Sequence, residues 1–430
     1  MMIAGRFVLL ALAGVIPLFW FPQLSTALIW CGVLALALLA DIVFAVSPCT
    51  LSITRRLPRG ARLGEQTSAD LLLRNTGKRT FRGQLEEGWQ PSAGIAEQVQ
   101  RLRLPGGERR LLNFTMQPRR RGELRSDVVT IRSYGPLGLA GRQVTLPVPG
   151  RVMVLPAFRA RRHLPSALRK LRELDGRAAV QIRGAGTEFD SLRDYVRGDD
   201  VRSIDWRATA WRQSVVVRTW RPERDRRVVI LLDSSRTAAA RVEDEPRFDT
   251  SIEASLLLSV LAERGGDRVS VIAFDRRVRA HVGSSQQGNL LGSLATALAS
   301  IQPELIELDW ERIPAQIRSA TAHRALVVLL TSLDTGAAAE TLIPVVSRLA
   351  RDHTVVVASV RDPALLAMAG SRADRTQVYQ AAAAERALLE REAVLTQLNR
   401  LGAEVVDAAP EELPPLLADA YIRLKAAGRL

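Results

Sequence analysis

Cysteine and histidine are both scarce in this sequence. It contains two cysteines, Cys31 and Cys49, and four dispersed histidines: His163, His281, His323 and His353. Two cysteines cannot build a disulfide framework or a cysteine-based zinc site, and these histidines lack the spacing of a metal centre. The sequence therefore argues against a disulfide-stabilised fold and against zinc chemistry built on these residues.

Lysine is also nearly absent, since 60 residues are basic and lysine occurs only at positions 78, 170 and 425. Against 45 acidic residues this leaves a formal net charge of +15. Such an excess suits nucleic acid or an anionic membrane surface. The near-exclusive use of arginine is typical of a codon preference. We therefore disfavour a nucleic-acid partner and favour charge at a membrane face.

Two long apolar runs occur near the N-terminus, at residues 7–21 and 24–46. They predict a two-helix transmembrane hairpin over residues 1–48, because the second run is long enough to span a bilayer. A cleaved signal peptide is the alternative, but the apolar region is too long for one. Asp41 lies in the second run, where we expect a helix end or an intramembrane contact. Arginines follow the hairpin and place the soluble part on the cytoplasmic side of the inner membrane: Arg55, Arg56, Arg59 and Arg62.

The remaining 380 or so residues exceed a single core, and a hydrophobic content of 47% excludes large-scale disorder. Residues 51–150 contain short apolar strands separated by turn signals, which predict a small all-β domain resembling a sandwich. Residues 151–225 form a charged bridge segment. Residues 226–430 alternate apolar strands with amphipathic helices, which predicts a doubly wound, mostly parallel α/β sheet.

The bridge segment offers two functional alternatives. Its acids Asp199, Asp200 and Asp205 suggest a metal-dependent hydrolase, although interleaved arginines favour structural ion pairs. Its arginines and tryptophans suggest a membrane-associated nucleic-acid binder: Trp206, Trp211 and Trp220.

The stretch "VVILLDSSRT", residues 228–237, ends an apolar strand with an acid and hydroxyls. Ligands bind such sheets at the carboxyl ends of strands, where the strand order reverses. Asp233, Ser235 and Thr237 are hard oxygen ligands that suit Mg²⁺, and a later strand ends in Thr331, Ser332 and Asp334. The alternative is that Asp233 caps the following turn while the hydroxyls bond to backbone groups.

Two motifs resemble known families. Asp-x-Ser-x-Thr after the first strand resembles the metal-ion-dependent adhesion site of von Willebrand factor A domains. The segment "GAGTEFDSLRDYVRGDDVRSIDWRATA" resembles the signature of the bacterial family called domain of unknown function 58, or DUF58. The matching residues include Glu188, Phe189, Arg193, Tyr195, Gly198, Asp199, Asp200, Asp205 and Trp206.

The DUF58 resemblance implies a membrane-anchored, non-enzymatic protein with a von Willebrand A-like domain. Members are typically encoded near MoxR-type AAA+ ATPases, which implies a shared role in assembling or activating other proteins. The adhesion-site resemblance implies Mg²⁺ held by Asp233, Ser235 and Thr237 with Asp334, and a partner that offers a carboxylate. The separate loop threonine of a full adhesion site has no clear counterpart here, since only Ser284 and Ser285 are nearby hydroxyls.

Overall fold

The computed structural model describes residues 2–181, 188–196, 199–221, 226–283, 289–333 and 336–430. The chain divides into two compact units, Met1–Ala157 and Phe158–Leu430. The elements of the first unit are, in chain order, β1 (Met2–Ile3), α1 (Gly5–Ala13), α2 (Val15–Trp20), α3 (Leu24–Phe44), β2 (Leu51–Arg56), β3 (Ala61–Arg62), β4 (Thr67–Asn75), β5 (Phe81–Trp89), β6 (Val99–Leu104), β7 (Arg109–Met116), β8 (Gly122–Tyr134) and β9 (Ala140–Leu155).

The N-terminal apolar region leaves the β-strands and returns to them. Met2 and Ile3 pair with Gly141 and Ala140 of β9, so the chain starts beside the strand to which α3 returns. Among the described residues, one helical stretch, Leu24–Thr50, is long and apolar enough to cross a membrane, with a mean hydropathy of 2.5. The outgoing limb instead consists of α1 and α2, which break at Gly14. The structure thus contains one helix that is a candidate for spanning a membrane, and the two-helix hairpin stays a prediction.

Gly14 lies at this break, against the indole of Trp30 on α3. A Cβ atom at position 14 would approach Trp30 Nε1 to 2.0 Å, so only glycine allows this close approach. Pro17 further weakens the helix, since it lacks a backbone N–H.

Asp41 lies one turn before the end of α3 and fixes that end to the β-strands. Its fully buried carboxylate accepts hydrogen bonds from the backbone N–H groups of Leu137 (2.8 Å), Leu139 (2.5 Å) and Ala140 (3.0 Å). These residues form the turn between β8 and β9. Asp41 is thus a helix-end anchor to the turn, which resolves the alternatives that the sequence left open.

Two sheets form the body of the first unit, and their pairs are antiparallel except for the short parallel pair β3–β9. One has the order β1-β9-β8-β5-β6, with β3 added to β9, and the other has the order β2-β4-β7. Leu71, Leu73 and Phe114 from the smaller sheet pack with Phe81 and Ile131 from the larger one. The two sheets therefore enclose a shared core, as in a sandwich.

The second unit contains a central six-stranded sheet. Its elements are α4 (Leu164–Gln181), β10 (Glu188–Asp194), α5 (Trp206–Arg212), β11 (Val216–Arg221), β12 (Arg227–Asp233), α6 (Arg236–Ala239), β13 (Arg241–Val242), β14 (Glu245–Pro246), α7 (Arg247–Arg264), β15 (Arg268–Phe274), β16 (Val278–Gly283), α8 (Leu290–Ala299), α9 (Ile313–Ala320), β17 (Leu326–Leu330), α10 (Gly336–Asp352), β18 (Thr354–Val360), α11 (Pro363–Gly370), α12 (Arg375–Arg400), β19 (Glu404–Ala408) and α13 (Leu413–Ala426).

The strand order of this sheet is β16-β15-β12-β17-β18-β19, and every pair is parallel except the edge pair β15–β16. The side chains of β12 alternate between two hydrophobic cores, one on each face of the sheet. Ile230 and Leu232 pack in the core that includes α7 and α13, whereas Val229 and Leu231 pack in the core that includes α9 and α10. Helices therefore cover both faces. The chain moves from β12 to β15 on one side and then to β17 on the other, so the order reverses at β12.

We predict that Asp41→Ala releases the turn at 137–140 from α3. Buried N–H groups that lose their acceptor cost about 1–3 kcal/mol, so the first unit should be destabilised by that order. Hydrogen exchange of the full chain should show lost amide protection at Leu137, Leu139 and Ala140. Asp70→Ala is the matched control, because Asp70 accepts only a side-chain bond from Asn113. Unchanged protection in Asp41→Ala would refute the anchor.

Candidate functional site

Asp233 ends β12 at the carboxyl edge of the sheet, where the strand order reverses. Asp233 is 2% exposed, and its carboxylate has three hydrogen-bond partners. One carboxylate oxygen accepts from the backbone N–H of Ser235 at 2.8 Å. The other accepts from Thr331 Oγ1 at 2.7 Å and from Thr237 Oγ1 at 3.1 Å. The acid is thus enclosed by groups from two neighbouring strands.

The local sequence explains this geometry. Ser235 and Thr237 follow Asp233 at spacings of two and four, and their hydroxyl oxygens lie 3.2 Å apart. Thr331 comes directly after β17, which pairs in parallel with β12 and therefore ends at the same edge. Thr331 thus belongs to the site, although the sequence indicated only that its strand would end near this edge.

Burial raises the pKa of Asp233, and the hydrogen bonds from Ser235, Thr331 and Thr237 oppose that rise. A buried carboxylate is costly unless positive charge or donors compensate it. One carboxylate and three hydroxyls are oxygen ligands that fit Mg²⁺, which binds one or two carboxylates and keeps some water. The residues present therefore fit a small divalent cation.

The other predicted ligand, Asp334, lies outside the described residues, as do Ser284 and Ser285. Among the residues that the structure describes, no group of three or more Asp, Glu, His or Cys side chains could hold a metal ion. A cation here would depend on Asp233 and on hydroxyls. The first part of the alternative interpretation holds, since the Asp233 carboxylate accepts the N–H of Ser235 in the following turn. The second part does not, because the Ser235 and Thr237 hydroxyls contact each other, and Thr237 donates to Asp233, rather than to backbone groups.

Asp275 is a second buried acid at the same edge, and the sequence reasoning missed it. It comes directly after β15, and Asp233 is the last residue of β12, so an acid at the end of an apolar strand could have identified both. Its carboxylate accepts from Ser234 Oγ (3.2 Å) and from the N–H groups of Arg276 and Arg277, and it pairs with Arg279. Asp275 therefore holds the loop beside Asp233.

Buried arginines add positive charge to this edge. Arg247 donates from Nη1 to Ser332 Oγ at 2.9 Å. Burial lowers the pKa of Arg247, and the nearby positive charge of Arg391 lowers it further. Arg391 in turn bonds to Ser359 Oγ and pairs with Asp407. The edge beyond β17 and β18 therefore carries these two arginines together with the acids Asp362 and Asp407.

The bridge acids have structural partners. Asp199 accepts from Arg193 and from the N–H of Val196, and Asp200 accepts from the N–H of Arg202. Asp205 accepts from the first N–H groups of α5 and pairs with Arg218 at 2.8 Å. These contacts remove the reason for treating the three acids as a hydrolase centre.

The other signature residues divide by position. Tyr195 donates its N–H to the carbonyl of Val215, which continues the β10–β11 pair. Trp206 and Trp211 are strongly exposed on α5. Gly198 lies outside the described residues, and the side chains of Glu188, Phe189 and Trp220 are not among those described. The nucleic-acid alternative stays a prediction.

Comparison with known proteins supports the family resemblance. Residues 191–391 match the family model described as "Protein of unknown function DUF58". The chain is 29% identical over 145 residues to the uncharacterized proteins Rv1480 of Mycobacterium tuberculosis and Mb1516 of Mycobacterium bovis. Each match covers 32% of this chain and 46% of the relative, so it spans about half of the relatives' length.

Solved structures with limited similarity include the conserved hypothetical protein BatB from Bacteroides thetaiotaomicron. It is 18% identical, with 47% of this chain and 99% of that chain covered and a TM-score of 0.31. The VWA domain of SpRpn10 is 12% identical. The match covers 45% of this chain and 94% of that chain, with a TM-score of 0.30. A CARDB domain from Pyrococcus furiosus is 13% identical. The match covers 26% of this chain and 91% of that chain, with a TM-score of 0.20.

We predict that Asp233→Asn stabilises the metal-free protein at neutral pH. Because the pKa of Asp233 is higher in the folded chain than in the unfolded chain, its favourable contribution is complete below about pH 3.9. That contribution is lost as the pH rises through the folded pKa. We expect Asp233→Asn to raise the free energy of unfolding by about 1 kcal/mol at pH 7, which corresponds to a melting temperature roughly 2–4 °C higher.

The measurement is thermal unfolding of the full chain in EDTA between pH 4 and 8. The gap between the variant and the wild type should shrink toward pH 4. Asp309→Asn is the control, since Asp309 pairs at the surface with Arg312. A gap that is independent of pH, or a variant less stable than wild type at pH 7, would contradict the prediction.

Proposed function

We propose that this protein, whose residues 191–391 form a DUF58 region, is a membrane-tethered interaction module rather than an enzyme. Helix α3 would span the inner membrane, with α1 and α2 inserted beside it. The arginines that follow α3 would keep the soluble units in the cytoplasm. Ile3 pairs with β9, and Asp41 accepts a hydrogen bond from the turn before β9. The two ends of the apolar region therefore lie close together, which supports a hairpin-like tether.

The observation that carries the interaction role is the Asp233 carboxylate with its surrounding hydroxyls at the carboxyl edge. In this proposal Asp233, Ser235 and Thr237 hold Mg²⁺, with Thr331 beside them and Asp334 as the later acid. The cation, when bound, supplies a Lewis-acidic position that accepts a carboxylate oxygen from a partner. Arg247 supports that role, because its charge beside Ser332 favours an anion near the edge.

The partner system is proposed from the family resemblance. A MoxR-type AAA+ ATPase would act together with this protein in the assembly or activation of other proteins. The membrane tether would hold the binding edge at the bilayer, so that a client bound there is presented at high local concentration. The structural roles of Asp199, Asp200 and Asp205 make a hydrolase the weaker alternative.

Calorimetric titration of the full chain with Mg²⁺ and Mn²⁺ tests the site. We expect saturable binding that is abolished by Asp233→Ala, because the only described carboxylate of the set is removed. Thr331→Val should weaken binding by about tenfold or more, since it removes a hydroxyl that bonds to the ligating carboxylate.

Asp419→Ala is the matched control, because Asp419 pairs with Lys170 on the surface of the same unit. It should bind the metal like wild type. Equal binding by Asp233→Ala and wild type would refute the metal-dependent version of the proposed function.

A further inference from the structure

Basic residues concentrate at one end of the two-sheet body of the first unit. They come from two stretches that are separate in sequence, residues 74–82 and 101–110, in which Glu108 is the one acid. All of these basic side chains are exposed. We call them the basic end, and they are Arg74, Lys78, Arg79, Arg82, Arg101, Arg103, Arg109 and Arg110.

Two packed turns hold these stretches together. The turn between β4 and β5 and the turn between β6 and β7 meet at Asn75, which is fully buried. Asn75 Nδ2 donates to the carbonyls of Arg79 and Leu104, each at 2.9 Å. The basic residues are therefore fixed at one end of the fold.

The charge of the basic end is not neutralised within the described part of the chain. None of its members forms an ion pair with a described carboxylate, and the acids of β5 are engaged elsewhere. Glu86 pairs with Arg132, and Glu87 pairs with Arg55. Arg79 bonds to a backbone carbonyl, which carries no net charge. The surface therefore presents an excess of positive charge.

Two pairs of arginines lie directly opposite each other on neighbouring strands of the basic end. In the larger sheet, Arg82 of β5 is opposite Arg103 of β6. In the smaller sheet, Arg74 of β4 is opposite Arg109 of β7. Like charges in directly opposite positions destabilise an antiparallel pair. The fold alone does not account for these arginines, whereas a bound anion does.

The basic end is also the end to which α3 is attached. Arg79 Nη2 donates to the carbonyl of Phe44, the last residue of α3, at 3.1 Å. Arg142 Nε donates to the carbonyl of Ile42 at 3.1 Å. Leu137, in the turn between β8 and β9 that bonds to α3, is 54% exposed. Arginines and an exposed leucine therefore lie beside the last turn of the helix that is long and apolar enough to cross a membrane.

This position selects among anionic partners. Nucleic acid, acidic proteins and anionic lipids all complement a basic surface. When α3 spans the bilayer, the headgroups of the leaflet that it leaves lie beside its last turn, within the roughly 8 Å over which exposed charges act at physiological salt. An exposed leucine next to arginines suits this interface, because apolar groups enter the acyl region while charges stay at the headgroups. Anionic lipid therefore fits the basic end better than a soluble polyanion.

We infer that the basic end binds the phosphate groups of anionic phospholipids in the leaflet from which α3 emerges. This inference rests on the membrane tether of the proposed function and adds a lipid class and a binding surface to it. Two of the arginines that follow α3 in sequence lie elsewhere. Arg55 is buried with Glu87, and Arg62 bonds to the carbonyl of Pro156 at the other end of the sheets.

The test measures the lipid selectivity of the full chain in phosphatidylcholine vesicles that contain a trace of spin-labelled lipid. Electron paramagnetic resonance separates lipids held at the protein from bulk lipids, so it compares the association of spin-labelled phosphatidylglycerol with that of spin-labelled phosphatidylcholine. The basic-end variant carries Arg79→Gln, Arg82→Gln and Arg103→Gln. The matched control removes the same charge from exposed arginines at the other end of the sheets, through Arg59→Gln, Arg119→Gln and Arg120→Gln. Melting temperatures of both variants should stay near wild type, because every substituted side chain is exposed.

We expect wild type and the control to associate with phosphatidylglycerol at least about threefold more strongly than with phosphatidylcholine, and the basic-end variant to show no preference. The wild-type preference should fall as NaCl is added, because salt screens exposed charges. The inference is overturned if wild type shows no preference, or if the control loses as much of it as the basic-end variant. A single-stranded oligonucleotide that binds through the basic end of a wild-type protein without lipid preference would identify nucleic acid as the ligand instead.

Extraction with alkaline carbonate separates this inference from the tether. If both proteins stay in the vesicles and only the basic-end variant lacks the lipid preference, the tether and the lipid surface both hold. Wild type that is washed from phosphatidylcholine vesicles but binds phosphatidylglycerol vesicles through the basic end would reject the spanning helix and retain the lipid surface. Wild type that stays in the vesicles without a preference would retain the tether and reject the lipid surface.

Discussion

A carboxylate buried at the end of the central strand is the constraint on which the functional account depends. Removing the charge of Asp233 from water is costly, and one backbone N–H and two threonine hydroxyls offset only part of that cost, since its pKa remains raised. The acid lies at the carboxyl end of β12, the strand on whose two sides the chain adds its later strands. A bound cation would complete the compensation and would convert an unfavourable burial into a binding site.

Asp41 also has a buried carboxylate, but this carboxylate attaches α3 to a turn of the β-strands. Its three partners are backbone N–H groups of one turn, which cannot leave without unfolding that turn. The hydroxyl partners of Asp233, by contrast, belong to threonine side chains, so a carboxylate oxygen can exchange a hydrogen bond for a metal without moving the backbone. This difference makes Asp41 an anchor and leaves Asp233 open to ligand binding.

Local patterns predicted much of the fold. The alternation of apolar strands and helices over residues 226–430 predicted the sheet that contains β12, β15, β17, β18 and β19. Two short helices, α9 and α11, escaped prediction because eight residues give little periodicity. Asp233, Ser235 and Thr237 were identified because they are neighbours in sequence. The bond from Thr331 to Asp233 and the contacts of Asp41 join residues almost 100 positions apart, so only the tertiary structure reveals them.

The most direct test of the central claim is anomalous diffraction at the manganese edge from crystals of the protein grown with Mn²⁺. The account predicts an anomalous peak at the carboxyl edge, within ligand distance of oxygens from Asp233, Ser235 and Thr237. It also predicts that Thr331 keeps its hydrogen bond to the Asp233 carboxylate. A well-ordered edge with no anomalous peak at Asp233, or a peak held by other residues, would contradict the claim that this carboxylate is a metal ligand.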